Sequence, residues 1–390
     1  MRHTSSVLSW KTQTNLVNAE TYFDEHLRVG EYYSQNDQTL GRWQGFGAER
    51  LGLRNAVQRD DFLQLCQNLN PVTGERLTQR HKTTRVDSGH EVANRRIFYD
   101  FTFSPPKSVS LLALMAQDQR LIEAHDRAVV SALAELEQFA ATRVHEAGQI
   151  SDRLTGNIIA ATFRHDTSRA LDPHLHTHCI LFNATFDDVE GRWKAMDNFE
   201  MLQAKKFVEN VYYHELVKAM KTCGYEIQNH ARGDFQVEGV ASELCQRFSK
   251  RHQEIDSREG ELLAQKPSLA NGSVMDMREN IAHKERPRKV KDVTPSALQS
   301  RWDGELSPAE KSNLCGLVQA RANEARGPLP DAADRALSWA EDHLFNRHSV
   351  VREHELWRHA LEHARGEDWT VAELKGESQR RNYVSRAFSI

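Results

Sequence analysis

The clearest pattern in the chain is an alternation over residues 95–103. Ile97, Tyr99, Phe101 and Phe103 fall on one side of an extended chain, and Phe98, Asp100 and Thr102 on the other. A strand is expected there. Two further apolar runs, 157–163 and 179–182, flank a polar stretch that contains Ser168, Asp172 and Pro173. The runs read as strands of a hairpin and the polar stretch as their connection. Shorter strands are expected at 7–10 and 192–194, and a small hairpin at 225–227 with 235–237. Helical spacing predicts helices over 16–27, 54–69, 119–145 and 199–222. The third carries an apolar stripe of Leu121, Ala124, Ala128, Leu133, Leu136 and Phe139. Residues 104–110 break the first strand and begin another helix. Residues 70–90 look polar and turn-rich. Beyond 240 the chain is charge-dense and helical. Gly327-Pro328-Leu329-Pro330 reads as a boundary before a separate helical piece, 331–390.

Composition narrows the class. The 390 residues allow one large domain with an appendage, or two domains. Hydrophobic residues at 39% suffice for a core, and charged residues at 27% suit a soluble protein. No run is apolar enough to span a membrane, and the N-terminus has no signal-peptide pattern. Cys66, Cys179, Cys223, Cys245 and Cys315 are scattered without a C-x-x-C pair, which speaks for a reducing compartment and against a disulfide frame. A net charge of -4 counts mildly against a nucleic-acid binder. Local clusters count the other way: Arg76, Arg80, His81, Lys82 and Arg85 lie close together, and 283–291 is a basic run. No G-x-x-x-x-G-K-[ST] occurs, so a P-loop ATPase site is excluded.

The candidate chemistry sits at the hairpin. His176 and His178 project from one strand face, and His165 ends the preceding strand, so three imidazoles could hold a divalent ion with positions left open. Alternation would add His174 to that face. Pro173 cannot donate to a ladder, so regular pairing is expected only after it, with His174 at the loop end. With 19 histidines in the chain, an H-x-H pair is ordinary, and a set of surface histidines stays open as the other reading. Asp100, in so aromatic a strand, needs a partner unless it faces water; an imidazole N–H would serve. Tyr22, Phe23, Tyr32 and Tyr33 are most simply core packing, while a phenol nucleophile is the alternative.

Taken together the motifs have a family likeness. They are Ala19-Glu20-Thr21-Tyr22-Phe23, Trp43-Gln44-Gly45-Phe46-Gly47-Ala48-Glu49, and the run from Tyr99 to Ser110. Leu154-Thr155-Gly156-Asn157, His165-Asp166-Thr167-Ser168-Arg169, Asp172 to His178, and Phe207-Val208-Glu209-Asn210 follow. In these the chain resembles the conjugative relaxases of the MobF class, the TrwC/TraI type of HUH endonuclease, over about its first 240 residues and more loosely to about 300.

That resemblance implies an α+β fold, a central antiparallel sheet flanked by helices with a mostly helical C-terminal extension. It implies a relaxase domain over 1–300, including helices that cover the DNA, and over 301–390 the start of a helicase region. The missing P-loop then means that the chain stops before the motor. The implied reaction is site- and strand-specific cleavage of single-stranded plasmid DNA at an origin of transfer. Tyr22 attacks, leaving a 5′-phosphotyrosine link and a 3′-hydroxyl. The family's metal ligands map to His165, His176 and His178, and its acidic residue to Asp100. Magnesium or manganese is expected in cells, with zinc, nickel or cobalt able to substitute in vitro. Lys107, Arg169 and Arg85 are expected to contact DNA. Accessory relaxosome proteins, a coupling protein and a type IV secretion apparatus are the implied partners. The implied location is the bacterial cytoplasm, with transfer to a recipient and no membrane insertion.

The sequence departs from the family pattern. His174 stands where glutamine is common, and Phe23 where many relatives have a second tyrosine. The gap to Tyr32-Tyr33 is a little longer than usual, which puts a second-transfer role for either in question. A rolling-circle replication initiator shares the H-x-H motif, but its tyrosine usually lies downstream. A catalytically idle origin-binding protein would not need the full set of Tyr22, Asp100 and three histidines.

Overall fold

Alternation is obeyed from Phe98 to Phe103 in the central sheet of the computed structural model, but Ile97, expected beside Tyr99, precedes the strand and packs in the other cluster with Phe98. The model describes residues 8–14, 19, 22–23, 41–79, 84–87, 90–93, 96–146, 148–230, 233–265, 277–278, 281, 293–319 and 331–384. The sheet has five strands: β1 (Leu8–Gln13), β2 (Arg42–Gln44), β3 (Phe98–Phe103), β4 (Ala160–Thr167) and β5 (Pro173–Phe182). Their spatial order is β1-β3-β5-β4-β2, and every neighbouring pair is antiparallel. Tyr99, Phe101 and Phe103 of β3 join Leu175, Cys179 and Leu181 of β5 in a large apolar cluster on one face. Phe98, Phe163, Ile180 and Phe182 join a smaller cluster on the other, with Phe62 at its centre.

Two long helices cover the first face. α1 (Gln119–Glu137) buries the expected stripe from Leu121 to Leu136, with Phe139 beyond its end and partly buried, and α2 (Lys205–Thr222) lays the Tyr212 ring against Phe103 at 5.5 Å between centroids. The second face is thinner. The short helix Arg59–Cys66 supplies Phe62, and Phe23 packs on it at 5.0 Å. Gly47 lets its chain press onto the sheet, because a Cβ there would lie 2.6 Å from the Ile158 carbonyl oxygen.

Several expectations are corrected. The helix expected over 119–145 stops at Glu137, and Ala141–Glu146 is a strand paired with Gln149–Leu154. The reason is a change of period: Thr142 and Val144 are buried while Arg143 and His145 face solvent, a two-residue alternation built on β-branched residues. The helix expected over 54–69 spans only Arg59–Cys66, because Asn55 adopts a left-handed φ of 65° and gives its carbonyl to Trp43 N. The turn-rich stretch contains a ribbon, Thr84–Asp87 paired with His90–Ala93. The hairpin strands are also longer than their apolar runs, leaving only residues 168–172 as the turn. Tyr32, Tyr33, the run 283–291, the boundary at 327–330 and most of the helix expected over 16–27 lie outside the described residues.

Residues 331–384 are not packed as a separate piece. Their helices, Ala332–Phe345, Glu353–His363 and Val371–Arg380, share the large cluster with α2. The Trp357 ring lies 5.4 Å from Phe207, and Trp369 lies 4.2 Å from His214. The buried Arg365 guanidinium donates to Asn210 Oδ1 at 2.9 Å and to the Gly233 carbonyl at 2.6 Å. Truncation before residue 331 should therefore bare the outer face of α2. The expected outcome is a lower thermal transition with increased binding of an apolar dye; a truncated chain that melts like the full one would contradict the shared core.

Candidate active site

The register of β3, β5 and β4 decides which polar side chains meet. Thr102 stands opposite His178, and Phe163 stands opposite the same histidine from the other side. His165 stands opposite His176. Opposed residues in antiparallel strands share a face. Asp100, Thr102, His178, His176 and His165 therefore emerge together, on the side of the smaller cluster. Residues 22–23 are fixed over this face by aromatic contacts: Tyr22 packs on Phe98 at 5.5 Å, and Phe23 is edge-on to Phe163 at 6.0 Å. Phe23 is thus a packing residue. Tyr22 serves both readings, since its ring packs and its hydroxyl reaches the polar group.

That hydroxyl donates to Asp100 Oδ2 at 2.5 Å. His178 Nδ1 donates to the same carboxylate, 2.9 Å from Oδ1 and 3.0 Å from Oδ2. Thr102 Oγ1 also donates to Oδ1, at 3.2 Å. Asp100 is 5% exposed. Burial alone would raise its carboxyl, but the charge and hydrogen bond of His178, the Tyr22 hydroxyl and the charge of Lys11 outweigh it and hold it at about 2. Lys11 is opposite Asp100 on β1. Sequence reasoning missed both Lys11 and Thr102. Thr102 was legible as a face neighbour of Asp100, whereas Lys11 becomes a neighbour only once β1 is known to pair with β3.

The imidazoles cluster closely. Ring centroids of His165, His176 and His178 are 5.3, 5.4 and 5.2 Å apart. Three imidazoles around an ion at bonds of about 2.0–2.1 Å and tetrahedral angles would have centroids roughly 5 Å apart. His178 spends Nδ1 on Asp100 and His176 spends Nδ1 on the His174 carbonyl at 2.9 Å, which leaves each Nε2 for an ion. As placed, among the described residues no three His, Cys, Asp or Glu side chains are aimed to hold one. The stacked planes of His165 and His176, 22° apart, are where the rings would turn. The donor set and its spacing fit a divalent ion. Burial, then the charge of His178, pulls His176 down to about 3, so it is a neutral imidazole, the form that ligates.

His174 departs partly from expectation. Pairing reaches Pro173, opposite Thr167, but the register slips between His165 and Thr167, so the ladder is interrupted just at His174. Its ring nevertheless stacks on His176 at 4.6 Å. Lys107 donates to the Pro173 carbonyl at 2.8 Å, and burial brings its ammonium down to about 8 against the opposing charge of Asp172. Arg169 lies half-buried in the hairpin turn, and Arg85 occupies the ribbon opposite Val92.

A phenol oxygen held by a carboxylate, next to imidazoles spaced for a cation, can attack a phosphodiester. On an antiparallel sheet with an H-x-H strand, this equipment defines the HUH class of relaxase. Within that class the chain belongs to the TrwC relaxase family, whose model matches residues 17–309.

Relatives agree with this assignment. The multifunctional conjugation protein TraI of Escherichia coli K12 is 35% identical over 293 residues, 70% of this chain and 16% of that protein. A second Escherichia coli TraI is 38% identical over 250 residues, 60% of this chain and 13% of its own length. The chain thus spans a small part of these curated relatives. Among solved structures, a metal-bound complex of the conjugative relaxase TrwC with oriT DNA matches with a TM-score of 0.64 and 32% identity. That match covers 79% of this chain and 98% of TrwC's. TrwC complexed with a 27-mer DNA comprising the recognition hairpin and the cleavage site matches with a TM-score of 0.62 and 30% identity, with coverage of 79% and 98%.

The His174 carbonyl accepts from His176 Nδ1, and its ring stacks on the His176 ring, a flat contact that a glutamine amide can also make. His174→Gln should therefore keep metal affinity near that of the parent in a calorimetric titration, and His165→Ala should lose it. The reverse ranking would show that the ligand set is misassigned.

Proposed function

We propose that this chain nicks one strand of plasmid DNA at an origin of transfer and rejoins it, with Tyr22 as nucleophile. The observation that carries the reading is the hydrogen-bonded line from the Tyr22 hydroxyl through Asp100 to His178 Nδ1. In the step proposed, the Tyr22 oxygen bonds to the scissile phosphorus and the bond from phosphorus to the 3′-oxygen breaks. Tyr22 releases its phenol proton to solvent, the 3′-oxygen leaves as a hydroxyl by taking one up from solvent, so that protons balance, and the 5′-phosphate stays on the tyrosine. The phosphodiester energy is conserved, so the reverse attack by a 3′-hydroxyl rejoins the strand without ATP.

Magnitudes define the work of Asp100. An ordinary phenol titrates near 10, and passing its proton to a carboxyl held at about 2 is uphill by on the order of 10 kcal/mol. Asp100 is therefore a poor final proton acceptor. It orients the Tyr22 oxygen and fixes the His178 ring so that Nε2 faces outward. A divalent cation on His165, His176 and His178, magnesium or manganese in the cell, would draw charge from the non-bridging phosphate oxygens. Arg169, Arg85 and the charge of Lys107 serve the DNA backbone. The wider setting proposed is a bacterial cytoplasm, with relaxosome proteins, a coupling protein and type IV secretion machinery as partners.

Tyr22→Phe should bind an origin oligonucleotide as the parent does and form no covalent adduct on a denaturing gel. Adduct at the parental level would remove Tyr22 from the role. Strand affinity should also fall steeply between low and moderate salt, because the expected contacts are to phosphates. Anisotropy titrations that stay level across that range would argue for a mostly non-electrostatic contact.

A further inference from the structure

The hairpin turn beside the histidines is held from outside the sheet. It spans residues 168–172, between β4 with His165 and β5 with His176 and His178. The ladder is least regular here. Pairing runs evenly as far as His165 opposite His176, slips, and resumes only at Thr167 opposite Pro173. His165 is therefore the last residue of β4 in the even part of the ladder. Leu171, in the turn, takes a left-handed φ of 61°. That conformation is unfavourable for a residue with a side chain and persists where the surroundings over-determine it.

Three donors supply that constraint, on three successive residues. Trp302 Nε1 donates to the Leu171 carbonyl at 2.8 Å. The Lys250 backbone N–H donates to Asp172 Oδ2 at 2.8 Å, and the Lys250 ammonium lies 3.3 Å from Oδ1. Lys107 Nζ donates to the Pro173 carbonyl at 2.8 Å. Trp302 is 3% exposed and Asp172 1%, so breaking one of these bonds leaves a buried group unpaired. Trp302 lies on the helix Pro295–Gly304, and Lys250 opens the helix Lys250–Gln265. Lys250 also holds Glu305, just past the first of these helices, at 2.8 Å. The two helices thus grip the turn together. Bonds within the turn, from the Ala170 and Asp172 N–H groups to Ser168 Oγ at 3.2 Å each, close it without fixing where it lies.

We propose that Trp302 and Lys250 are positioning residues for the metal centre, acting through the turn to hold His165 across from His176 at the spacing an ion needs. The proposal rests on the ligand set His165, His176 and His178 given above. Ligand bonds of about 2.0–2.1 Å tolerate little drift in the groups that make them. The test is a calorimetric titration of the full chain with manganese(II), without DNA. Trp302→Phe keeps an aromatic ring and removes the N–H, and Lys250→Met keeps the stem and removes the charge. Each should lower manganese affinity about tenfold, the lower end of what outer partners of metal ligands contribute. Lys250→Arg should recover most of that loss. Gln299→Ala, on the same helix as Trp302, removes a bond to the Met115 carbonyl instead and should bind manganese as the parent does. The Lys250 side chain is 33% exposed and can be changed without opening the core, so Lys250→Met decides the matter even if Trp302→Phe fails to fold. Parental affinity in Lys250→Met would overturn the proposal. So would an equal loss in Gln299→Ala, since the effect would then be a general loosening of the helix. A parent that binds no manganese would bring down the ligand set itself, which is a separate failure.

Discussion

A carboxylate buried against phenylalanine rings costs several kcal/mol unless its lone pairs are taken, and Asp100 is such a group. Its oxygens accept from Tyr22, His178 and Thr102. These donors come from three parts of the chain: a segment near the N-terminus, β5, and β3 itself. Meeting the needs of one acid thus draws the nucleophile candidate and an imidazole of the proposed metal set into register. The same bonds hold Asp100 at about 2, so the group stays ionised and the arrangement stays intact across the pH range in which a cell lives.

The sheet separates this polar work from the bulk of the stability. One face of it is backed by α1, α2 and the C-terminal helices in one large cluster. Among the described residues the face that bears the histidines has a smaller apolar cluster, around Phe62. Among the described residues, Tyr22 is held over this face by the Phe98 ring and by its bond to Asp100. Behind the histidine strand, the buried His125 bonds Thr177 Oγ1 at 2.8 Å and Tyr212 at 2.7 Å. Thr177 is thereby tied to the core face, and its sequence neighbours His176 and His178 are directed to the other.

How far all this could be read from sequence depends on the range of the forces involved. Strand alternation is local, so the faces of β3 and β5 and the meeting of His176 with His178 were legible. Asp100 could be seen to need a partner, and the hairpin brings His165 across. Lys11 was not legible, because its approach to Asp100 depends on β1 pairing across some ninety residues of chain. The strand Ala141–Glu146 was hidden because an apolar helical stripe runs into it without a glycine or proline to mark the change. The C-terminal helices looked independent because their own apolar positions do not reveal the surface they cover. That surface comes from α2, through residues such as Phe207, His214 and Asn210.

Charge completes the account. A total of -4 would suggest a poor partner for DNA, yet the sum is the wrong quantity. Most surface cations here already hold acids: Arg153 holds Asp187, Arg143 holds Asp197, and Arg247 holds Glu310. Such pairs contribute little binding energy to a phosphate, because the acid must be displaced first. What a phosphate would meet is the minority of cations without an acid partner. A chain can therefore be acidic overall and still present positive charge where a strand would lie, provided its acids are tied up elsewhere.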